Sequence, residues 1–350
     1  MKQLRVIDLF AGCGGLTSGF VSTGLYEPVA AVEHDLHAAA TYAHNFGADH
    51  VHVGDIAEWV TGSIPAADVV VGGPPCQGFS ALGKQDPADP RNVMWRHYMS
   101  TLRRARPAFF VLENVPQFLR SAEYLAFEAE TAPKGLLSDY VLEPFVLNAA
   151  DYGASQSRRR AVVIGRRRQL DEIGPPPESE RRTLREAFPA WLEDSVEAVE
   201  LPQSLVEFQG TRVPGTFKLR DLHVTRRPSE LSLARFRAIP PGGSRKDLPD
   251  ELLTPCWRKH KSGAGDVMGR LVWGKPSVTI RTEFFKPEKG RYLHPTENRP
   301  ITHAEAALIQ GFPEDFVWCG NKTSIARQIG NAVPPALARA LALHLAPRIG

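Results

Sequence analysis

The sequence predicts an α/β protein: an open, mostly parallel sheet with helices on both faces, plus a smaller, irregular second domain. Three observations lead to this fold class. Short apolar runs alternate with helix-length segments through the first half of the chain, as in parallel sheets. The first run enters a glycine-rich turn and then a helix, as in nucleotide-binding units. The length of 350 residues suits two domains.

The predicted elements follow one another closely. Each predicted strand is a short apolar run, which fits a strand buried on both faces. These strands are Arg5–Phe10, Pro28–Glu33, Val51–Ile56, Asp68–Val71, Pro107–Asn114, Tyr140–Ala150 and Ala161–Gly165. The predicted helices are Leu16–Thr23, a segment ending at Phe46, Asn92–Arg106, a segment ending at about Thr131, Ile301–Gly311 and an Ala/Leu-rich segment at the carboxyl end.

The second domain is predicted from a change of composition near Asp171, where prolines, glycines and charged residues replace the alternating pattern. The apolar character of the last helix predicts that the chain returns to the first domain at its end. We therefore expect a first domain at 1–185 and 322–350, and a second domain at 186–321.

Charge is distributed unevenly along the chain. Residues 1–150 carry 10 Lys and Arg against 16 Asp and Glu, whereas residues 151–350 carry 32 against 23. The basic part could face a polyanion, although a solvated basic surface explains the same balance. The four cysteines are scattered, which gives no disulfide framework and no zinc pattern. We expect a cytoplasmic protein that has no membrane segment and binds no metal.

The stretch Gly72–Ser80, GGPPCQGFS, is the strongest candidate for chemistry. Two glycines and two prolines take the backbone out of the fourth strand. The turn then presents Cys76, which is either a buried structural thiol or a nucleophile at the rim of the sheet.

Acidic residues at strand ends predict a ligand site. Glu33 ends the second strand, where a carboxylate can accept hydrogen bonds from ribose hydroxyls. Asp55 and Ile56 follow the third strand and could hold the amine and the face of an adenine. Together with the glycine turn after the first strand, they predict one adenosine-type site.

Two further features each allow two interpretations. Glu113 ends the fifth strand and is either a proton donor or an ordinary helix-capping acid. Arg158, Arg159 and Arg160 could bind a phosphate or carboxylate, or could form a solvated basic turn.

The motifs, in order, resemble the bacterial DNA (cytosine-5)-methyltransferases of restriction-modification systems. The resembling segments are DLFAGCGG (Asp8–Gly15), GDI (Gly54–Ile56), GGPPCQGFS, DPRN (Asp89–Asn92), ENV (Glu113–Val115), QSRRR (Gln156–Arg160), AALIQGFPEDF (Ala306–Phe316) and QIGNAVPP (Gln328–Pro335).

The resemblance implies roles for these residues. Cys76 would attack carbon 6 of a flipped-out cytosine, Glu113 would contact its ring nitrogen 3 and exocyclic amine, and Arg160 and Arg158 would hold the base. Gln77, Ser80 and Gln156 would bind substrate, and the loop 77–92 would close over the base. S-adenosylmethionine would be the cofactor, lined by Phe10, Gly12, Gly14, Glu33, His34, Asp55, Ile56, Met94 and Asn331.

The resemblance also implies the partners and the architecture. A Rossmann-like methyltransferase sheet would face a target-recognition domain across a cleft that binds double-stranded DNA. We expect a monomer, because one active site serves one flipped base. Two alternatives remain open: a tRNA cytosine-5 methyltransferase on the same scaffold, and a non-catalytic DNA-binding regulator.

Overall fold

The structure is a computed structural model that describes residues 2–75, 94–193, 196, 198–259 and 265–349. The chain divides into two compact units. The first comprises Met1–Gly153, Arg159–Glu180 and Ala332–Gly350, and the second comprises Ala154–Arg158 and Arg181–Asn331. The assignment of functional domains to 1–185 with 322–350 and to 186–321 stays a prediction.

The first unit contains a seven-stranded sheet. Its strands are β1 (Leu4–Leu9), β2 (Tyr26–Glu33), β3 (Val51–Val53), β4 (Val69–Gly72), β5 (Phe109–Asn114), β6 (Tyr140–Asn148) and β7 (Arg159–Arg167). Their spatial order is β3-β2-β1-β4-β5-β7-β6. All pairs from β3 to β5 are parallel, and β7 is antiparallel to both neighbours. The predicted open, mostly parallel α/β sheet is confirmed.

The helices of this unit are α1 (Gly15–Val21), α2 (Leu36–Phe46), α3 (Ile56–Trp59), α4 (Met94–Ala105), α5 (Ala122–Ala129) and α11 (Pro335–Leu345). Helices α3, α4 and α5 contribute to one apolar cluster with Ile7, Val70 and Phe110 of the sheet. Helix α1 packs closely on α11, since a Cβ built at Gly19 would lie 2.4 Å from the Cβ of Ala338. The predicted return of the last helix to the first unit is thus observed.

Strand order explains where a ligand can bind. The chain moves from β1 to β2 on one side, whereas β4 lies on the other side of β1. Ligands of open α/β sheets bind beyond the carboxyl ends of the strands at such a reversal. Strand β7 runs the opposite way, so its first residues lie at this same edge.

The second unit holds α6 (Leu184–Ala187), the hairpin β8 (Leu205–Phe208) and β9 (Thr211–Pro214), α7 (Glu230–Ala238), α8 (Pro255–Lys259), α9 (His303–Gln310) and α10 (Lys322–Asn331). Its apolar residues include a cluster of Phe236, Ile239, Leu248, Met268 and Leu293. The sequence did not predict the hairpin, α6, α7, α8 or α10, because polar and proline-rich sequence hides short elements. Among the described residues, no helix is long and apolar enough to cross a membrane.

Candidate active site

The turn between β1 and α1 has an unusual backbone. Gly12 and Gly14 adopt φ values of 56° and 91°, and Phe10 adopts 58°. This left-handed region is open to glycine but costs other residues about 1–2 kcal/mol. A Cβ built at Gly12 would meet no atom within 4 Å, so the turn borders open space. Backbone strain at Phe10 is typical of a functional loop.

Glu33 fixes that turn from the end of β2. One carboxylate oxygen accepts a hydrogen bond from the Gly12 N–H at 2.7 Å, and the other accepts one from the Asp35 N–H at 2.7 Å. Burial raises the pKa of the Glu33 carboxyl, and hydrogen bonds from the backbone of Asp35, Gly12 and His34 partly oppose this. The two oxygens offer about four lone-pair sites, so the carboxylate can accept a further hydrogen bond.

The other predicted cofactor residues of the first unit extend this edge. Phe10, Ile56 and Met94 contribute to one apolar cluster, in which Ile56 is buried. Asp55 is exposed and caps α3 by accepting from the Ala57 N–H at 2.8 Å. An apolar wall beside two carboxylates fits an adenosine, so the residues present fit S-adenosylmethionine.

Two further predicted cofactor residues are not part of this apolar cluster. His34 is exposed and directly follows β2. Asn331 is exposed at the last residue of α10, in the second unit. A cofactor role for these two residues stays a prediction.

A buried group of hydrogen-bonded side chains, not predicted from the sequence, lies near the turn. The Thr17 hydroxyl donates to Asp8 Oδ2 at 2.7 Å and lies 3.0 Å from the Tyr42 hydroxyl. Asp8 Oδ1 is buried with no hydrogen-bond partner among the described residues. Burial raises the pKa of Asp8 to about 7, which the hydrogen bond from Thr17 only partly offsets.

Two contacts with β5 hold the turn after β4. The Asn114 side-chain amide donates to the Pro74 carbonyl at 3.1 Å. A Cβ built at Gly73 would lie only 3.0 Å from Glu113 Oε2. Glycine therefore allows the turn to approach the carboxylate closely. Pro74 and Pro75 lead directly into Cys76 in the sequence.

Arg160 and Glu113 form an ion pair at this edge. Arg160 Nε lies 2.8 Å from Glu113 Oε1, and both side chains are largely buried. The pair forms because β7 is antiparallel to β5, with Asn114 paired to Ala161. Arg160 also donates to the carbonyl of Arg159 at 2.8 Å. Two of the predicted catalytic residues are therefore brought together.

Arg158 and Gln156 have different surroundings. The Arg158 guanidinium is buried and donates to the carbonyls of Ile280 and Gly330, both at 2.9 Å. Gln156 is buried, donates to Gln310 and accepts from the Ile280 N–H. These hydrogen bonds connect segments of the second unit to one another. They favour structural roles for residues that the resemblance assigns to the base and substrate.

Cys76, Gln77 and Ser80 lie outside the described residues. In the parts of the chain that are described, no group of three or more His, Cys, Asp or Glu side chains could hold a metal ion. Sequence reasoning missed Asn114 as a site residue, although its place directly after Glu113 at a strand end was a signal.

Comparisons with known proteins agree with this geometry. Residues 4–346 match the family model described as C-5 cytosine-specific DNA methylase. The chain belongs to this family. It transfers a methyl group from S-adenosylmethionine to carbon 5 of cytosine in DNA.

Individual relatives cover almost the whole chain. The Type II methyltransferase M.DdeI of Desulfomicrobium norvegicum is 32% identical over 97% of this chain and 88% of its own length. M.Eco47II of Escherichia coli is 32% identical, with 98% and 80% covered. A crystal structure described as an Escherichia coli prophage DNA modification methyltransferase superposes with a TM-score of 0.72 at 25% identity, covering 99% of both chains.

Proposed function

We propose that this protein is the modification enzyme of a type II restriction-modification system and methylates one cytosine within a short, specific duplex sequence. Support comes from the Type II methyltransferases among its relatives. The Glu113–Arg160 pair beside the turn that leads into Cys76 is the observation that carries the proposal.

Cys76 acts as the nucleophile in this proposal. Carbon 5 of cytosine is a poor nucleophile, and its carbon 6 is open to attack by a thiolate. When the Cys76 sulfur bonds to carbon 6, the electron pair of the 5,6 double bond moves into the ring and carbon 5 becomes nucleophilic. After carbon 5 has been methylated, a base takes its proton. The electron pair of that carbon–hydrogen bond re-forms the 5,6 double bond, and the sulfur leaves carbon 6 with the pair of the carbon–sulfur bond.

Glu113 acts on the opposite edge of the base. A carboxyl group that donates a proton to ring nitrogen 3 neutralises the negative charge that develops as the thiolate adds. Arg160 fixes the position of this carboxyl through the 2.8 Å contact to Oε1. The other oxygen, Oε2, faces Gly73 and the start of the turn that leads into Cys76.

The residues at the ends of β1, β2 and β3 hold the cofactor in this proposal. Glu33 accepts from the ribose hydroxyls, Asp55 accepts from the adenine amine, and Ile56 and Phe10 pack on the ring. Gly12 and Gly14 allow the backbone to approach the methionine part. When bound, S-adenosylmethionine would supply a methyl group on a positively charged sulfonium sulfur, which leaves as a neutral thioether.

The substrate and setting follow from the chemistry. The target carbon is inaccessible inside a duplex, so the cytosine must be flipped out. The basic second part of the chain suits a DNA backbone. We expect the enzyme to be a monomer, because a single active site serves each flipped base. We expect it to act in the bacterial cytoplasm. A stable dimer in sedimentation at micromolar concentration would contradict the monomer.

Bisulfite sequencing tests the proposal. Mixed plasmid and genomic DNA is incubated with the enzyme and S-adenosylmethionine, beside a Cys76→Ser variant. Protected cytosines in one short motif, absent with the variant, are expected. Methylation of tRNA instead of duplex DNA would show that the protein is a tRNA cytosine-5 methyltransferase, the first alternative. If DNA is bound without methyl transfer, the protein is a binding regulator.

A further inference from the structure

A cavity lies entirely within the second unit. Its volume is about 270 Å³, and it is lined by Arg185, Phe188, Pro189, Leu192, Trp273, His294, Thr296 and Glu297. This is slightly below the range of about 300–1,000 Å³ typical of sites for drug-sized ligands, so the cavity suits a single ring system. None of the residues assigned to the cytosine or the cofactor lines it.

Three aromatic rings build one side of the cavity. The rings of Phe188 and Trp273 are 5.5 Å apart and almost perpendicular, at 88°. The His294 ring lies 5.3 Å from Trp273 and 6.3 Å from Phe188. Phe188 and Trp273 are only partly buried, so both can contact a ligand. Aromatic side chains of this kind are the platforms on which unpaired nucleic-acid bases stack.

His294 contributes a ring without a charge. Burial lowers its pKa to about 4, so the ring is neutral at physiological pH. Its Nδ1 accepts the Glu297 N–H at 3.0 Å, which leaves the proton on Nε2. The His294 ring therefore adds no positive charge to the cavity.

One basic side chain, Arg185, stands at the rim of the cavity. The Arg185 guanidinium lies 4.3 Å from the centre of the Trp273 ring, and no carboxylate of the described residues lies within ion-pair distance of it. Glu297 at the same rim accepts hydrogen bonds from Arg299 at 2.7 and 3.1 Å, and Arg299 also pairs with the buried Glu305 at 2.7 Å. The Arg185 side chain is exposed, and the backbone N–H of Arg185 donates a hydrogen bond to the Trp273 carbonyl. A guanidinium beside an aromatic cavity complements a nucleotide, in which a phosphate adjoins a ring.

We propose that this cavity is a second nucleotide subsite, which takes an unpaired base of the DNA substrate against the exposed parts of the Phe188 and Trp273 rings and a backbone phosphate on Arg185. The inference rests on DNA being the substrate. It adds a contact to the unpaired strand that is separate from the cytosine bound beside Glu113.

A fluorescently labelled, single-stranded thymidine oligonucleotide is the probe, because it contains no cytosine for the catalytic site. Its dissociation constant is measured by anisotropy for the wild type, Arg185→Gln and Trp273→Leu. Each substitution is expected to weaken binding by about fivefold or more, the lower end of the effect of losing one stacked base. The matched control is Arg182→Gln, which removes the same charge from a neighbouring exposed position and should change binding by less than about twofold.

Three results would overturn the inference: no binding by the wild type, unchanged binding by Arg185→Gln, or an equal loss with Arg182→Gln. Arg185 is exposed, so its substitution keeps the test valid if Trp273→Leu does not fold. Photocross-linking with 4-thiothymidine gives a second readout, in which the labelled peptides should contain Phe188 or Trp273; cross-links found only elsewhere would contradict the subsite.

Methyl transfer to duplex DNA is measured in parallel. Intact methylation without pocket-dependent oligonucleotide binding would refute the subsite and leave the proposed function standing. Pocket-dependent binding without methylation would refute the proposed function and leave the subsite standing.

Discussion

Arg160 Nε lies 2.8 Å from Glu113 Oε1, at the edge where the antiparallel β7 begins beside the end of β5. This contact fixes the carboxyl that faces the turn after β4. Because β7 runs against its neighbours, its first residues reach the same edge as the carboxyl ends of the parallel strands. The direction of one strand thus brings a basic motif and an acidic motif together.

Arg160→Gln is expected to lower kcat by at least about tenfold, because Glu113 loses the partner that orients it for proton donation. Arg159→Gln is the matched control: Arg159 is exposed, and its contact with Arg160 uses only its backbone carbonyl. Steady-state methylation of duplex DNA measures both variants. Equal losses of kcat would show that bulk positive charge, and not the ion pair, matters here.

Gly73→Ala is expected to lower kcat by up to about 100-fold, because the added methyl group would meet Glu113 Oε2 at 3.0 Å and displace the carboxyl. Gly62→Ala serves as the control, since its Cβ would meet only the Trp59 carbonyl at an ordinary 3.5 Å. Activity of Gly73→Ala at the level of Gly62→Ala would refute the close approach of the turn to Glu113.

Glu33→Gln is expected to weaken S-adenosylmethionine binding by about 10- to 100-fold. The amide nitrogen of glutamine cannot accept from the N–H of Gly12 or Asp35, and a charged hydrogen bond contributes about 1.5–3 kcal/mol. Isothermal titration calorimetry without DNA measures the effect. Glu27→Gln, near the opposite end of β2, should bind the cofactor as the wild type does. Wild-type affinity of Glu33→Gln would remove Glu33 from the cofactor site.

Asp8→Asn is expected to stabilise the fold increasingly as pH rises. The pKa of Asp8 is raised from 3.8 to about 7 on folding, so the contribution of Asp8 to stability is fully present below about pH 4 and is lost as pH rises through 7. This loss amounts to at most about 4 kcal/mol. Urea unfolding at pH 5, 6, 7 and 8 measures the free energy of unfolding of both proteins. A difference between them that does not change with pH would contradict the raised pKa.

Arg158→Lys is expected to lower the free energy of unfolding by about 2–4 kcal/mol, because an ammonium cannot replace both hydrogen bonds to the buried carbonyls of Ile280 and Gly330. At low temperature, where the variant stays folded, kcat should stay within about threefold of wild type. Thermal unfolding and kinetics are compared for this variant. Full stability with a large loss of kcat would support the catalytic role that the resemblance implies.

Most of the fold and part of the candidate site could be predicted from the sequence. The seven strands were predictable, because runs such as Phe109–Asn114 combine apolar residues with a polar strand end. Val51–Ile56 was predicted as one strand, but the strand ends at Val53 because Asp55 caps a short helix. The Glu113–Arg160 contact was not predictable, because it depends on the direction of β7. The structural hydrogen bonds of Arg158 depend on residues more than a hundred positions away.

Covalent trapping tests the central claim, that Cys76 attacks a cytosine whose other edge is held by Glu113. The probe is a duplex that carries 5-fluorocytosine at the methylated position identified by bisulfite sequencing, incubated with enzyme and S-adenosylmethionine. Fluorine cannot leave carbon 5 as a proton does, so the adduct persists. We predict an enzyme–DNA adduct by mass spectrometry, mapped to Cys76 and absent in Cys76→Ser. No adduct, or one on another residue, would contradict the account.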